Sequence, residues 1–171
     1  MVETAAEIGG WPGAAARDGC ARGFGFARYK NRAAYAAVVA EVEVVEEVRV
    51  TRVWAAVDAG LVINPDGAEN QIEGGIIQAT SWALKERVRF EDGRIASDTW
   101  GGYPILRFSE VPEIEIRFID APHEPALGLG EASLGPTAAA IGNAVARALG
   151  TRIRDLPLTR ERIMATLLAD R

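Results

Sequence analysis

The chain has 171 residues, 49% of them hydrophobic, with a formal charge of -5 and a pI near 5.0. That is enough to bury one core, and the acidic balance speaks against a phosphate-backbone binder, which needs clustered Lys and Arg, so nucleic acid is not expected as a partner. The single cysteine, Cys20, cannot close an internal disulfide and the single histidine, His123, cannot seed a His-rich metal cluster, so no metal ligand set is expected from the chain itself.

No apolar run approaches the roughly 18–20 residues of a membrane span, and the first ten residues carry acids where a signal peptide needs bases. Membrane is therefore not expected as a partner. The cytoplasm is the default compartment, with the periplasm open to a complex exported as a unit.

In chain order, residues 3–8 have helical composition but amount to less than two turns before Gly9-Gly10-Trp11-Pro12-Gly13 stops them. They read either as a frayed terminus or as the tail of a helix that begins upstream. Arg22-Gly23-Phe24-Gly25-Phe26-Ala27-Arg28-Tyr29 nearly spells the RNA-stacking signature of an RRM, yet too few residues precede it for the strand and helix that domain requires. The aromatics are read instead as the side of a strand that enters the core.

Val38, Ala40, Val42 and Val44 alternate with Val39, Glu41 and Glu43, and residues 48–57 repeat the two-residue period, so a hairpin is expected with Val45-Glu46-Glu47 as its turn. Asn64-Pro65-Asp66 combines an N-cap, a proline at the first helical position and an acid in the first turn, and predicts a helix from Pro65 to Lys85. Asp92-Gly93 predicts a tight hairpin between residues 87–90 and 95–98. Ile114, Ile116 and Phe118 mark a half-buried strand, Pro136 opens an apolar helix that Gly150 closes, and Thr159 precedes a last helix over 160–169. Antiparallel hairpins mixed with separate helices define an α+β fold.

Two segments stand out as candidate sites. Residues 121–135 form a Gly- and Pro-rich loop too long for a simple connection, with Glu131 just before the Pro136 helix. An acid placed there is either a helix-capping residue or one with a chemical task. Gln71 lies beside Glu73-Gly74-Gly75, where each glycine costs roughly 1 kcal/mol of helix propensity. Close approach of another helix, or of a bound cofactor, would account for them. Gly128-Leu129-Gly130-Glu131 lacks the third glycine and βαβ setting of a dinucleotide loop, and His123-Glu124 lacks the second histidine of a zinc-protease helix. His123 reads as a solvated loop residue.

Taken in order, Arg22-Gly23-Phe24-Gly25, Asp58-Ala59-Gly60-Leu61-Val62-Ile63-Asn64-Pro65, Gln71-Ile72-Glu73-Gly74-Gly75, Tyr103-Pro104-Ile105-Leu106-Arg107, Gly128-Leu129-Gly130-Glu131 and Gly135-Pro136-Thr137-Ala138-Ala139-Ala140-Ile141 form an ordered series. The series resembles the molybdopterin-binding subunit of the xanthine oxidase and aldehyde oxidase family of molybdenum hydroxylases, in the isoquinoline 1-oxidoreductase branch. The resemblance implies that residues 1–171 are the C-terminal portion of a molybdenum-cofactor-binding domain truncated at its N-terminal side. It implies Glu131 as general base and Gln71, Asn70 and Gly130 as cofactor-binding residues. The loop departs from the family's usual Gly-Glu-Pro-Gly continuation in carrying Ala132-Ser133-Leu134-Gly135, which leaves its path open.

The implied reaction is hydroxylation of an N-heteroaromatic or aldehyde carbon with water-derived oxygen. The implied cofactor is the molybdenum cofactor, molybdopterin in its cytosine dinucleotide form, in the complete enzyme and absent from the isolated chain. Implied partners are the upstream part of the molybdenum subunit, an iron–sulfur subunit and a small-molecule substrate. A non-catalytic scaffold that keeps the fold without cofactor is the alternative.

Overall fold

The computed structural model describes residues 1–13 and 19–169. Its centre is a four-stranded mixed sheet in the order β1 (Cys20–Arg28), β2 (Tyr35–Val44), β3 (Val48–Asp58) and β6 (Glu113–Phe118). The β1–β2–β3 meander is antiparallel, and β6 returns parallel to β3, pairing Val53 with Ile114 and Val57 with Phe118. A parallel return requires a crossover, and that crossover contains α2 (Pro65–Leu84). The fold is α+β.

α2 starts where the local chemistry directs. The Asn64 side chain accepts the Gly67 N–H at 3.2 Å and Pro65 fills the first turn, where its missing N–H costs nothing. Ile72, Ile76, Ala79 and Ala83 then recur on one face and are wholly buried against the sheet. α3 (Leu134–Leu149) buries Ala140, Ile141, Ala144 and Val145 on the same sheet face and ends at Gly150 with φ 70°. It begins two residues before Pro136, which is tolerated because the N–H groups of a first turn have no intrahelical acceptor.

The other face of the sheet is covered by α1 (Val2–Ile8), whose Ala5 packs against Ala37 and Ala56. Consequently Val38 and Val39 are both fully buried although they point to opposite faces. α4 (Arg160–Ala169) closes the main core through Ile163.

The expectation that the β1 aromatics lie on a side of the strand entering the core holds for Phe24, which packs against the small cluster of Ala5, Ala37 and Ala56, and fails for Phe26. Gly23 and Gly25 face α3, and a Cβ on either would lie 2.0 Å from the Ala140 carbonyl oxygen or 2.1 Å from that of Pro136. The helix lies so close to the strand that only hydrogen fits between them. Phe24 and Phe26 therefore take the opposite face, where Phe24 meets Trp11 and Phe26, half exposed, stacks on Tyr35. The same close approach lets Asn143 and Arg147 donate to the Phe24 and Arg22 carbonyls at 2.9 and 3.2 Å, which closes the edge of the sheet.

The Asp92-Gly93 hairpin forms with φ 50° and 74° at the turn, but its strands, β4 (Phe90–Glu91) and β5 (Arg94–Ile95), are shorter than the expected 87–90 and 95–98. All four residues are exposed, and a two-stranded ribbon with nothing beneath it does not propagate.

Candidate active site

Strands β1, β3 and β6 all run toward one end of the sheet, so the segments that follow them, 29–34, 59–64 and 119–133, converge there. α2 begins at this end and α3 starts directly after the third segment. The long loop is anchored along β3. The Ile119 N–H donates to Val57, that of Leu127 to Ala59, and that of Leu61 to Glu124, at 2.8, 2.9 and 3.1 Å. Gly60 makes this track possible: its φ is 63°, and a Cβ there would lie 2.1 Å from the Pro125 carbonyl.

The far end of the loop is fixed by Ser133, which is buried and donates from its hydroxyl to the Ile72 carbonyl at 3.0 Å. A Cβ on Gly75 would lie 2.2 Å from that same hydroxyl. Of the two explanations open for the glycine pair, close approach of protein holds for Gly75. Gly74 faces open space, with nothing within 4 Å of a Cβ built there.

Between these anchors, residues 126–131 form a wall with a groove on each side. On one side Gln71 donates from Nε2 to the Gly130 carbonyl at 3.2 Å, across 59 positions of sequence. Leu61, Ile63, Asn64, Gly67, Gln71, Leu127 and Gly130 line that groove of about 390 Å³. On the other side the Tyr29 hydroxyl donates to the Glu131 carboxylate, 102 positions away. Glu131 is exposed and lines a groove of about 500 Å³ with Tyr29. The structure thus brings Gln71, Gly130 and Glu131 to one loop.

Asn70 is not brought there. Its Nδ2 donates to the Asp66 carbonyl at 2.8 Å, back along its own helix, because the next position round the helix from Gln71 points about 100° away. As for the capping alternative, the hydrogen-bond partner of the Glu131 side chain is Tyr29, and the N-cap position of α3 belongs to Ser133. No local sequence signal singles out Tyr29, which follows β1 directly and meets Glu131 only in the tertiary structure. His123 is exposed, as expected.

The loop offers the donors that an oxygen-rich ligand needs. Among the described residues no acceptor takes the backbone N–H groups of Gly128, Leu129, Gly130 and Glu131, and a Cβ at Gly128 or Gly130 would meet nothing within 4 Å. A large flat group can therefore approach the main chain itself. Among the described residues no cluster of three or more His, Cys, Asp or Glu could hold a metal, so a metal at this site would be carried by the ligand. Among the described residues no helix is long and apolar enough to cross a membrane.

A third groove, of about 390 Å³, lies at the opposite end of the sheet between the β2–β3 turn, Lys85 and Glu110. It is less suited to chemistry. Two of its charged groups are engaged with each other, Lys85 Nζ lying 2.5 Å from Glu110 Oε1, and that contact holds the Glu110 carboxyl below its ordinary range. Beside it the Tyr103 hydroxyl donates to Glu86 at 2.8 Å, which raises the phenol.

Residues 14–112 match the profile of a family described as the molybdopterin cofactor-binding domain. That span includes Gln71 and stops short of Glu131. The chain is 49% identical over 155 residues to a nicotinate dehydrogenase component from Pseudomonas putida, covering 85% of this chain and 13% of that protein. It is 40% identical over 163 residues to the beta component of isoquinoline 1-oxidoreductase from Brevundimonas diminuta, covering 92% of this chain and 20% of the relative. Among solved structures, quinoline 2-oxidoreductase from Pseudomonas putida 86 superimposes with a TM-score of 0.73 at 33% identity, over 79% of this chain and 19% of that one. Aldehyde oxidoreductase from Desulfovibrio gigas gives 0.68 at 29% identity, over 79% and 15%. The chain thus spans no more than about a fifth of these relatives.

Proposed function

The chain belongs to the molybdopterin cofactor-binding domain family, and from that premise we propose that it forms the catalytic-base portion of a molybdenum hydroxylase subunit, with Glu131 as the base. The observation that supports this reading most is the wall at residues 126–131, which carries the Gln71 contact on one side and Glu131 on the other.

In this reading Gln71, Gly130 and the free main-chain N–H groups of the loop would hold the pterin. When bound, the molybdenum cofactor supplies the two-electron oxidation and the water-derived oxygen. Glu131 would accept a proton at its carboxylate during hydroxylation of an electron-poor carbon of an N-heteroaromatic ring or aldehyde, and the Tyr29 hydroxyl, which donates to that carboxylate, would orient it. The cofactor is proposed in its cytosine dinucleotide form. The partners proposed are the remainder of the molybdenum subunit and an iron–sulfur subunit, since one cysteine cannot hold a cluster, and the compartment is the cytoplasm.

The experiment is Glu131→Gln beside Gln71→Ala in the complete subunit. Glu131→Gln keeps size and accepts the Tyr29 hydrogen bond but takes no proton. Turnover per bound molybdenum falls about a hundred- to ten-thousandfold with cofactor content intact. Gln71→Ala instead lowers cofactor occupancy. A Glu131→Gln enzyme that keeps more than about a tenth of the normal rate removes the assignment. Loss of about 0.5–2 kcal/mol of stability with normal turnover assigns Glu131 to capping instead.

A further inference from the structure

Ser133 stands at the N-cap of α3, a position where a serine side chain ordinarily accepts a hydrogen bond from an N–H of its own helix. It makes no such bond. Its hydroxyl turns instead to α2 and donates to the Ile72 carbonyl at 3.0 Å, and the residue is only 1% exposed. The Ile72 carbonyl already serves the hydrogen-bond ladder of α2, so no unmet need of that helix accounts for the bond. A buried hydroxyl that forgoes its own helix end joins two elements.

With Gln71 it makes a pair of tethers. Gln71 Nε2 holds the Gly130 carbonyl at 3.2 Å and the Ser133 hydroxyl holds the Ile72 carbonyl, so adjacent residues of α2 grip the loop at positions 130 and 133. Glu131 and Ala132 lie between the grips. Ala132 is 2% exposed, its N–H donates to the Leu129 carbonyl at 3.2 Å, and the Glu131 carbonyl accepts the Leu134 N–H at 3.4 Å, so the main chain that carries Glu131 is closed into turns. The Gln71 bond is exposed, whereas the Ser133 bond is buried and water does not compete for it. Space is matched as well: a Cβ on Gly75 would lie 2.2 Å from the Ser133 hydroxyl oxygen, so the tether requires glycine on α2.

We propose that Ser133 is a positioning residue, which through its bond to Ile72 fixes the main chain of Glu131 on α2 and so sets the place of the base relative to Gln71. This rests on the reading of Glu131 as base. Ser133 lines neither the Gln71 groove nor the Glu131 groove, so its effect passes through the loop and not through a ligand. Tyr29 holds the end of the Glu131 side chain, and Ser133 holds the main chain from which that side chain springs.

The test uses the cofactor-loaded complete subunit. Ser133→Ala removes the hydroxyl and leaves the Ile72 carbonyl its helical partner, so it is the milder change; Gly75→Ala drives the hydroxyl off Ile72 from the α2 side. In both variants kcat per bound molybdenum falls about ten- to a hundredfold, as a base misplaced by about 1 Å requires, while KM moves less than about twofold and molybdenum content is unchanged. Amide hydrogen exchange over residues 129–134 quickens in both, with cofactor and without it. In a Glu131→Gln background, Ser133→Ala lowers kcat by less than about twofold further, because a residue that acts only through the base has nothing left to act on. Ser133→Ala that keeps kcat per molybdenum within about twofold overturns the proposal, as does unchanged exchange. An equal loss in the Glu131→Gln background overturns it too, and so does a loss of rate that falling molybdenum content accounts for. Glu131→Gln in the same series keeps the two readings apart: if it retains its rate the base assignment fails, and if it loses its rate while Ser133→Ala does not, only the positioning role fails.

Discussion

A single methyl group on β1 is expected to lever the candidate site apart from its scaffold. In Gly23→Ala the new Cβ lies 2.0 Å from the Ala140 carbonyl oxygen, 2.2 Å from the Ala144 nitrogen and 2.9 Å from its Cα. All three are backbone atoms of α3, so no side chain can swing aside, and the helix must lift by more than about 1 Å to restore ordinary contact distances of about 3.5 Å. The lift loosens Ala140, Ile141, Ala144 and Val145, which are fully buried, and stretches the Asn143 and Arg147 bonds to β1. Overpacking costs about 1–3 kcal/mol and each weakened hydrogen bond about 0.5–1.5 kcal/mol, so a loss of about 3 kcal/mol or more is expected. Gly142→Ala is the internal control. It lies within α3 with nothing within 4 Å of its Cβ, and should stabilise the chain by about 0.5–1 kcal/mol. Urea unfolding followed by tryptophan fluorescence at low protein concentration reads both, and opposite signs are the expected result. A Gly23→Ala cost below about 0.5 kcal/mol would refute the close approach of α3 to β1, and with it the account of how β1 and Glu131 are held in register.

Tyr29→Phe in the complete enzyme removes the hydroxyl that holds Glu131 but not the proton acceptor, so turnover per molybdenum should fall about three- to thirtyfold with cofactor content intact; a change below twofold denies Tyr29 its orienting role. The hydrogen bond from Lys85 holds the Glu110 carboxyl below its unfolded value, so its contribution is present above the ordinary carboxylate range and is lost as pH falls through the lower folded value. Lys85→Met should therefore cost about 0.5–1 kcal/mol at pH 7, a modest figure because the pair is about a third exposed, and the gap should close as pH falls below the lowered Glu110 value; a gap constant with pH contradicts this. The isolated chain presents Trp100 at 90% and Phe108 at 100% exposure, with Trp82 and Ile105 half exposed, and is expected to self-associate while holding no stoichiometric molybdenum. Sedimentation showing a monomer at high concentration counts against the first expectation, and one molybdenum per purified chain against the second.

Much of this fold is local and was readable as such. The Asn64-Pro65 start of α2, the Val45-Glu46-Glu47 turn between β2 and β3, the Asp92-Gly93 turn and the Gly150 stop all rest on side-chain and backbone preferences that act within a few residues. The candidate residues Gln71, Gly130 and Glu131 were also picked out in the sequence, through unusual glycines, a long loop and the resemblance of the motif order. Other features depend on what lies across the sheet. Alternation along β1 shows that aromatics and glycines occupy opposite faces, but which face meets α3 is settled by how near the helix lies, and the glycine face allows the nearer approach. Val39 is buried only because α1 covers the second face of the sheet, and β6 is parallel only because its chain returns by way of α2. The same holds for the site. Asn70 is one position from Gln71 yet turns away by the pitch of the helix, whereas Tyr29 reaches Glu131 from 102 positions away because β1 and the loop before α3 end at the same edge of the sheet. Local preferences name the residues and place them on elements; which of them share a groove is decided by the packing of α3 on β1 together with the anchoring of the loop along β3 and α2, which brings residues 29–32 and 126–131 together.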